Sequence, residues 1–149
     1  MNAIRHILVA TDFSELTDSV VDQAVELAKQ VHASITLVHC YEPPVDPSPE
    51  SNCSNVASPV EAAAEDQLEL IQRRHESPDV QIATVVRMGN ASDEVNTVAD
   101  ERRADLIVVG RRGRRGLVHA LRGGTAERIL RAATRPVYVV RGTPARSEG

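Results

Sequence analysis

The strongest constraint on the fold of this chain is a succession of five short apolar runs rich in Val and Ile. In several runs the apolar residues are consecutive instead of alternating with polar ones, which is typical of β-strands covered on both faces. The runs are HILVA (6–10), ITLVHC (35–40), VQIATVV (80–86), LIVVG (106–110) and VYVV (137–140). They predict the strands of one buried sheet.

The segments between these runs have the spacing of amphipathic helices, because apolar residues recur three and four positions apart. The apolar faces consist of Val20, Ala24, Leu27, Ala28 and Val31 in the first helix, Val60, Ala64, Leu68 and Ile71 in the second, Val95, Val98 and Ala99 in the third, and Ala126, Ile129, Leu130 and Ala133 in the fourth. This alternation predicts an α/β fold: a single-domain, Rossmann-like, open parallel sheet of five strands with helices on both faces.

The composition excludes several other classes of protein. With 149 residues, of which 42% are hydrophobic and 26% charged, the chain can bury one core and lacks the bias of disordered or membrane proteins. The opening MNAIRHILVATD has too short an apolar run for a signal peptide or a membrane span, so we expect a cytoplasmic protein. Two isolated cysteines, Cys40 and Cys53, predict neither a disulfide framework nor a zinc site.

The sequence predicts one domain over residues 1–142. Residues 41–58 contain four prolines and four serines, and we expect them to form a mobile surface loop. Residues 143–149, TPARSEG, are expected to form a disordered tail.

Charge is divided unevenly along the chain. Residues 1–109 carry 7 Lys and Arg against 19 Asp and Glu, whereas residues 110–149 carry 10 Arg against only Glu127 and Glu148. The stretch VVGRRGRRGLVHALRGGTAERIL (108–130) also holds five of the eight glycines. The C-terminal part of the chain therefore creates a positive field on an otherwise acidic protein.

This glycine- and arginine-rich loop has the features of a phosphate site. It follows the fourth strand, and in open α/β sheets ligands bind beyond the carboxyl ends of the strands. Gly110, Gly113 and Gly116 would let the backbone turn and approach a ligand, and Gly123 and Gly124 open the fourth helix, whose free N–H groups favour an anion. The loop lacks the Gly-Lys-Ser/Thr of a Walker A motif and the Gly-x-Gly-x-x-Gly of a dinucleotide fingerprint.

The run Gly110-x-x-Gly113, nine residues and then Gly123 resembles the nucleotide-binding signature of the universal stress protein family. The segments ILVATDFSE, ITLVHC, GNASDEV, ADLIVVG and RPVYVV are also similar to that family and occur in its order. The resemblance implies the strand order 3-2-1-4-5 and an ATP-like ligand between the first and fourth strands. The residues that it places at the nucleotide are Ala10, Thr11, Asp12, Cys40, Val109, Gly110, Arg112, Gly113, Arg114, Gly123, Gly124 and Thr125.

The resemblance also implies a role for each part of this set. Ala10 and Asp12 would border the adenine and the ribose, and the Cys40 backbone would lie at the adenine edge. Val109 and Gly110 would pack near the ribose and the first phosphate, and the remaining glycines, with Thr125, would surround the phosphates. Arg112 and Arg114 would add positive charge.

One position departs from the family pattern. The ATP-binding members have Ser or Thr after the third glycine, where this chain has Gly124 and carries its hydroxyl one residue later, on Thr125. A lost hydrogen bond to a charged group weakens binding by roughly 10- to 150-fold. Neighbouring arginines act in the opposite direction, so we expect binding to be weakened or retained.

Several of these residues also have an ordinary structural interpretation. DFSE is a capping pattern, so Asp12 could be the N-cap of the first helix as well as a ligand contact. Thr125 could cap the fourth helix. His39 is predicted to be a packed histidine and not a base, and Cys40 a small buried apolar residue.

The function predicted from the sequence is cytoplasmic binding of ATP, ADP or AMP, with or without Mg²⁺, in stress response or signalling, without dedicated catalysis. The alternatives are a slow nucleotide hydrolase or phosphotransfer enzyme of similar fold, or a dimeric stress protein that binds no nucleotide. Nucleic acid is a poor candidate because Phe13, Tyr41 and Tyr138 are the only aromatic residues available for base stacking. The resemblance further implies a homodimer through the last strand, Val137, Tyr138, Val139, Val140 and Arg141.

Overall fold

A computed structural model describes residues 3–42, 58–111 and 124–141. Within these ranges, strands and helices alternate along the chain as the sequence predicts. The elements are β1 (His6–Thr11), α1 (Thr17–Val31), β2 (Ser34–Tyr41), α2 (Pro59–Arg74), β3 (Ile82–Met88), α3 (Ala91–Glu101), β4 (Leu106–Arg111), α4 (Thr125–Ala132) and β5 (Val137–Arg141).

The five strands form one parallel sheet in the order β3-β2-β1-β4-β5, which confirms the predicted fold class and strand order. β1 lies at the centre, where Ile7 is in register with Ile35 of β2 and with Leu106 of β4. Parallel neighbours need crossover connections, and the helices supply them.

The helices cover the sheet in two pairs, which creates a separate hydrophobic core on each face. On one face Ile7 and Val9 pack with residues of α1 and α2, such as Val21 and Leu68. On the other face Leu8 packs with Val38, and with Val95, Val98 and Ile129 of α3 and α4. Consecutive residues of β1 therefore enter different cores, which explains why its apolar residues do not alternate with polar ones.

Some predicted positions are wrong. β3 begins at Ile82 and not at residue 80, because Val80 pairs with Ser77 in an isolated antiparallel bridge that closes a turn before the strand. Val60 and Leu130 belong to the predicted apolar helix faces but are 57% and 51% exposed. Periodicity alone cannot reveal which positions of an apolar helix face the neighbouring elements cover.

The structure describes only the two ends of the predicted proline-rich loop at 41–58. β2 includes Tyr41, and Ser58 is the N-cap of α2, where its hydroxyl accepts a hydrogen bond from the Glu61 N–H at 3.1 Å. The rest of the predicted 41–58 loop beyond Glu42, and the predicted tail at 143–149, lie outside the described residues. None of the described helices is long and apolar enough to span a membrane.

A cluster of charged side chains joins the first turns of α1 to the end of α2. The His75 ring lies between two carboxylates, with Nε2 2.8 Å from Asp18 and Nδ1 2.9 Å from Asp22. Arg74 contacts the same Asp18 oxygen at 3.0 Å, and these hydrogen bonds hold the pKa of Asp18 below its usual value. The contacts fix the N-terminal end of α1, which forms one wall of the candidate site.

Candidate functional site

A cavity of about 190 Å³ lies at the carboxyl ends of β1, β2 and β4. β1 leads into α1 on one face of the sheet, and β4 leads towards α4 on the other. The two connections thus diverge from neighbouring strands, which is the topological switch point where open α/β sheets bind their ligands. The position of the cavity agrees with the crevice expected from the sequence.

Most of the predicted site residues that the structure describes line this cavity: Ala10, Thr11, Asp12, Cys40, Val109, Gly110 and Thr125. Gly124 adjoins them as the residue directly before α4. The other predicted residues, Arg112, Gly113, Arg114 and Gly123, lie outside the described residues. Three strands and one helix thus bring together residues that are more than 100 positions apart in the sequence.

The turn after β1 forms one wall of the cavity and differs from the sequence prediction. Asp12 is not the N-cap of α1: the helix begins at Thr17, after Leu16, without a side-chain cap. Asp12 instead accepts a hydrogen bond at 2.9 Å from the Ser14 N–H, which closes a local turn. The Ser14 hydroxyl in turn accepts from the Leu16 N–H at 3.2 Å. The DFSE residues therefore form this turn and do not cap the helix.

Phe13 and His39 stack on each other next to the turn. The two rings are stacked, with centroids 3.9 Å apart and an interplanar angle of 17°. His39 Nδ1 lies 3.0 Å from the Thr11 carbonyl oxygen, so this nitrogen carries the proton and donates it. Phe13 has a φ of 60°, in the left-handed region that a bulky side chain rarely occupies. His39 is thus a packed residue, as the sequence predicts.

Gly110 has a packing role that the sequence did not predict, and the turn predicted at this glycine is wrong. It lies within β4, where the chain does not turn, and it faces α1. A Cβ atom at this position would lie 2.6 Å from Val20 Cγ2, closer than carbon atoms approach one another. The glycine therefore permits close packing of α1 on the end of β4, and both residues line the cavity.

The start of α4 also differs from one of the two interpretations of Thr125. Gly124 is the N-cap, with extended backbone dihedrals, and Thr125 is the first residue of the helix. Gly124 has no side chain with which to cap the helix, and Thr125 borders the cavity. The first N–H groups of a helix lack intrahelical acceptors, so this end of α4 presents donors to the cavity.

Cys40 lies at the end of β2 and is not a reactive thiol. Burial raises its pKa to about 11, and the carboxylate of Glu94 acts in the same direction. Arg87, which forms an ion pair with Glu101 and lies 3.9 Å from Glu94, acts in the opposite direction. The thiol is therefore neutral at physiological pH, although Cys40 is only partly buried and not fully buried as the sequence predicts.

The sequence prediction missed a further part of the lining. These residues are Ser14, Leu16, Thr17, Val20, Val38, His39, Ala91, Val95, Ala126 and Ile129. Several of them, Thr17, Val20, Ala91 and Ala126, belong to the first turns of helices, which the topology places at the same edge of the sheet as the strand ends. A systematic search of each helix start for polar residues would have found Ser14 and Thr17.

Thr17 differs from the other polar residues of the lining. It is only 6% exposed, and its Oγ1 has no hydrogen-bond partner among the described residues. Asp12 is the only charged residue among the described residues that line the cavity. Across the described part of the chain, no group of His, Cys, Asp and Glu has the arrangement needed to hold a metal ion.

Comparison with known proteins agrees with this geometry. The family model of the universal stress protein family matches residues 3–141. The chain belongs to the universal stress protein family. It is 32% identical over 140 residues to universal stress protein A homolog 1 of Coxiella burnetii, a match that covers 91% of this chain and 95% of the relative. It is 29% identical to universal stress protein YxiE of Bacillus subtilis, covering 90% and 97% of the two chains.

Solved structures of family members have the same fold. The hypothetical protein MJ0577 matches with a TM-score of 0.81 at 21% identity, covering 97% of this chain and 100% of that one. A universal stress protein in complex with cAMP gives 0.73 at 23% identity, with 95% and 100% covered. The universal stress protein from Archaeoglobus fulgidus in complex with dAMP gives 0.59 at 20% identity, with 93% and 99% covered. At these identities the likeness establishes the fold.

Proposed function

We propose that this universal stress protein binds an adenine nucleotide, ATP in the first place, in the cavity between the ends of β1 and β4. The observation that carries the proposal is the position of the cavity at the switch point, lined by Ala10, Asp12, Cys40, Val109 and Gly110. The complexes of two structural neighbours with cAMP and dAMP support the same class of ligand. The protein would act in stress response or signalling in the cytoplasm.

The lining of the cavity is divided in a way that suits a nucleoside. Its α3 and α4 side includes the apolar side chains of Val38, Val95, Val109 and Ile129, which can contact the faces of a base. Its α1 side carries polar groups, among them the Asp12 carboxylate. A base on the apolar side would place the sugar near α1 and direct the phosphates towards the start of α4.

The proposed phosphate site combines two parts. The N-terminus of α4, with Gly124 and Thr125, offers backbone donors and a hydroxyl. Residues 112–123, with Gly113, Gly123 and the arginines, would surround the phosphates from the other side. Because Thr125 is the first residue of α4, its hydroxyl offers a substitute for the one that the family pattern places at Gly124.

Binding is tested by titrating the purified protein with ATP, ADP, AMP and cAMP while its thermal unfolding is followed. A ligand that binds only the folded protein raises the unfolding temperature, and at 100 times its Kd it adds about 2.7 kcal/mol to the free energy of unfolding. The same titration with GTP reports whether the base is selected. Absence of any shift at millimolar adenine nucleotide would refute the proposal, and mass spectrometry of co-purified small molecules provides an independent answer.

We expect binding without efficient turnover. Of the described residues that line the cavity, only Asp12 carries a carboxylate, and it already accepts the Ser14 N–H. Efficient phosphoryl transfer requires a group that orients the nucleophile and carboxylates that hold Mg²⁺. Release of inorganic phosphate, measured with and without Mg²⁺, separates a binding protein from the alternative of a slow hydrolase.

A further inference from the structure

A second cavity lies at the opposite end of the sheet from the proposed nucleotide site. Its volume is about 760 Å³, and it is lined by residues at the amino ends of β1, β2 and β3, by the end of α2 with the segment that follows it, and by Arg102 after α3. The linings of the two cavities share no residue. This amino-end cavity is therefore separate from the site of the proposed function.

A chain of hydrogen bonds with one direction runs along the β1 and β2 side of the amino-end cavity. Thr36 is fully buried, and its hydroxyl donates to His6 Nε2, its partner among the described residues, at 2.8 Å. The ring proton is then on Nδ1, which donates to Ser34 Oγ at 2.7 Å. Ser34 lines the cavity and is only partly buried, and its own hydroxyl proton has no acceptor within the described part of the chain. This proton is available to a bound molecule.

Arg102 adds a positive charge to the same part of the cavity. It is the exposed C-cap residue of α3, and its guanidinium forms no ion pair with another described residue. The charge acts on the His6 ring: burial first, and then Arg102, lowers the pKa of His6, whereas the carboxylate of Asp105 acts in the opposite direction. Ser34 and Arg102 thus present two donors beside one ring.

We propose that the amino-end cavity binds a small organic anion, whose carboxylate or phosphoryl group lies between the Ser34 hydroxyl and the Arg102 guanidinium. A guanidinium donates to two oxygens of such a group at once. The lining also includes Glu76, which follows α2 on the other face of the sheet from α3. A second negative charge near this carboxylate would be repelled, so the site suits a molecule with one anionic end. Val80 and Ile82 can contact its carbon skeleton.

Binding is tested with two probes, inorganic phosphate and butyrate, each titrated into the full chain while the backbone amide NMR signals are followed. Chloride keeps the ionic strength constant, so that general screening does not contribute. We expect saturable shifts at Ser34, Gln81 and Arg102 with a Kd of about 1 mM or tighter for at least one probe. Binding of phosphate alone assigns a phosphoryl group to the ligand, and binding of butyrate assigns a carboxylate.

The deciding variant is Arg102→Gln, which removes a charge at an exposed position. We expect it to weaken binding of the probe about fivefold to tenfold, and Ser34→Ala, which removes the other donor, to weaken it by a similar factor. Arg103→Gln is the matched control, because it makes the same charge change one residue away at an exposed position outside the lining. Its affinity should stay within about twofold of the wild type, and the unfolding temperatures of all variants check that they are folded.

The His6 ring provides a second measurement that depends on where the anion binds. An anion beside Arg102 offsets the positive charge that helps to lower the pKa of His6, so the probe should raise this pKa in the wild type. In Arg102→Gln the pKa should already be higher without the probe, and the probe should change it little. NMR titration of the histidine ring signals measures both effects.

Three results would overturn the proposal. The first is the absence of saturable shifts at the amino-end cavity with either probe, or shifts confined to the other cavity, at residues such as Ala10 and Val109. The second is wild-type affinity in Arg102→Gln or in Ser34→Ala. The third is a His6 pKa that the bound probe leaves unchanged. Failure of the protein to bind nucleotides would refute the proposed function and leave this proposal untouched, because the two cavities have no lining residue in common.

Discussion

At the scale of single residues, Gly110 decides how closely α1 approaches the sheet at the cavity. A methyl group at this position would meet Cγ2 of the buried Val20 at 2.6 Å. We expect Gly110→Ala to lower the free energy of unfolding by about 1–3 kcal/mol, the usual cost of overpacking a core. Chemical denaturation measures this change, and the double variant Gly110→Ala with Val20→Ala should recover part of the loss. Additive losses in the double variant would contradict the steric explanation.

The hydrogen bonds of the His6 ring favour its neutral form. Thr36 Oγ1 is fully buried and lies 2.8 Å from His6 Nε2, its partner among the described residues, so the hydroxyl donates to that nitrogen. The proton of the ring is then on Nδ1, which donates to the Ser34 hydroxyl at 2.7 Å. Protonating Nε2 would remove the acceptor of Thr36. Burial, with a contribution from the charge of Arg102, lowers the pKa of His6 below 6.5.

A specific pH dependence follows from this lowered pKa. Because the folded-state pKa lies below the unfolded value, the contribution of His6 to stability is complete above pH 6.5 and is lost as the pH falls through the folded pKa. Denaturation experiments between pH 7.5 and pH 5 should therefore show a steeper loss of stability in the wild type than in His6→Gln. The carboxylates titrate alike in the wild type and in His6→Gln, so their contribution cancels when the two stability curves are subtracted. Parallel curves would contradict the proposed charge state.

At the scale of secondary-structure elements, the start of α4 decides whether the chain replaces the hydroxyl that the family pattern places at the position of Gly124. Thr125 is exposed at the first position of the helix and borders the cavity, so its hydroxyl is accessible to a phosphate. We expect Thr125→Val to weaken ATP binding by roughly 10- to 150-fold, as for the loss of a hydrogen bond to a charged group. Calorimetric titration measures the change, with Thr125→Ser as the control that keeps the hydroxyl. ATP binding of wild-type strength in Thr125→Val would exclude this compensation.

At the scale of the whole molecule, β5 is the last strand of the sheet and has a neighbouring strand on one side only among the described residues. The Ile107 N–H donates to the Pro136 carbonyl, and the alternation of a parallel ladder then directs the N–H groups of Tyr138 and Val140 towards β4. The N–H and C=O of Val139 point to the open edge instead. Tyr138 and Val139 are 45% and 37% exposed, so the edge also presents apolar side chains. Such an edge can pair with a second copy of the chain.

We propose that two copies pair through β5, and a proline at the edge tests this interface. Val139→Pro removes an outward N–H without breaking the ladder to β4, and we expect it to convert the dimer into a monomer in sedimentation experiments. Thr84→Pro is the matched control: the Ile35 N–H donates to the Gln81 carbonyl, so the Thr84 N–H points outward at the opposite edge, β3. A dimer that persists in Val139→Pro would refute the β5 interface.

The sequence predicted the fold well and the site in part. Runs of Val and Ile located all five strands, although β3 starts two residues later than predicted because Val80 closes a turn with Ser77. The family signature pointed to residues that line one cavity. It could not reveal that Asp12 closes a turn, because the start of α1 depends on how Leu16 and Val20 pack against the sheet.

What the sequence determined by itself is which side chains avoid water and in what order the elements follow. Periodicity records these properties locally, and they do not depend on which strands become neighbours. The tertiary structure alone decided the approach of Val20 to Gly110, the Phe13–His39 stack and the burial of Thr17 at the start of α1. Each of these depends on residues distant in the sequence, and their distances are fixed only when strand register and helix packing bring them together.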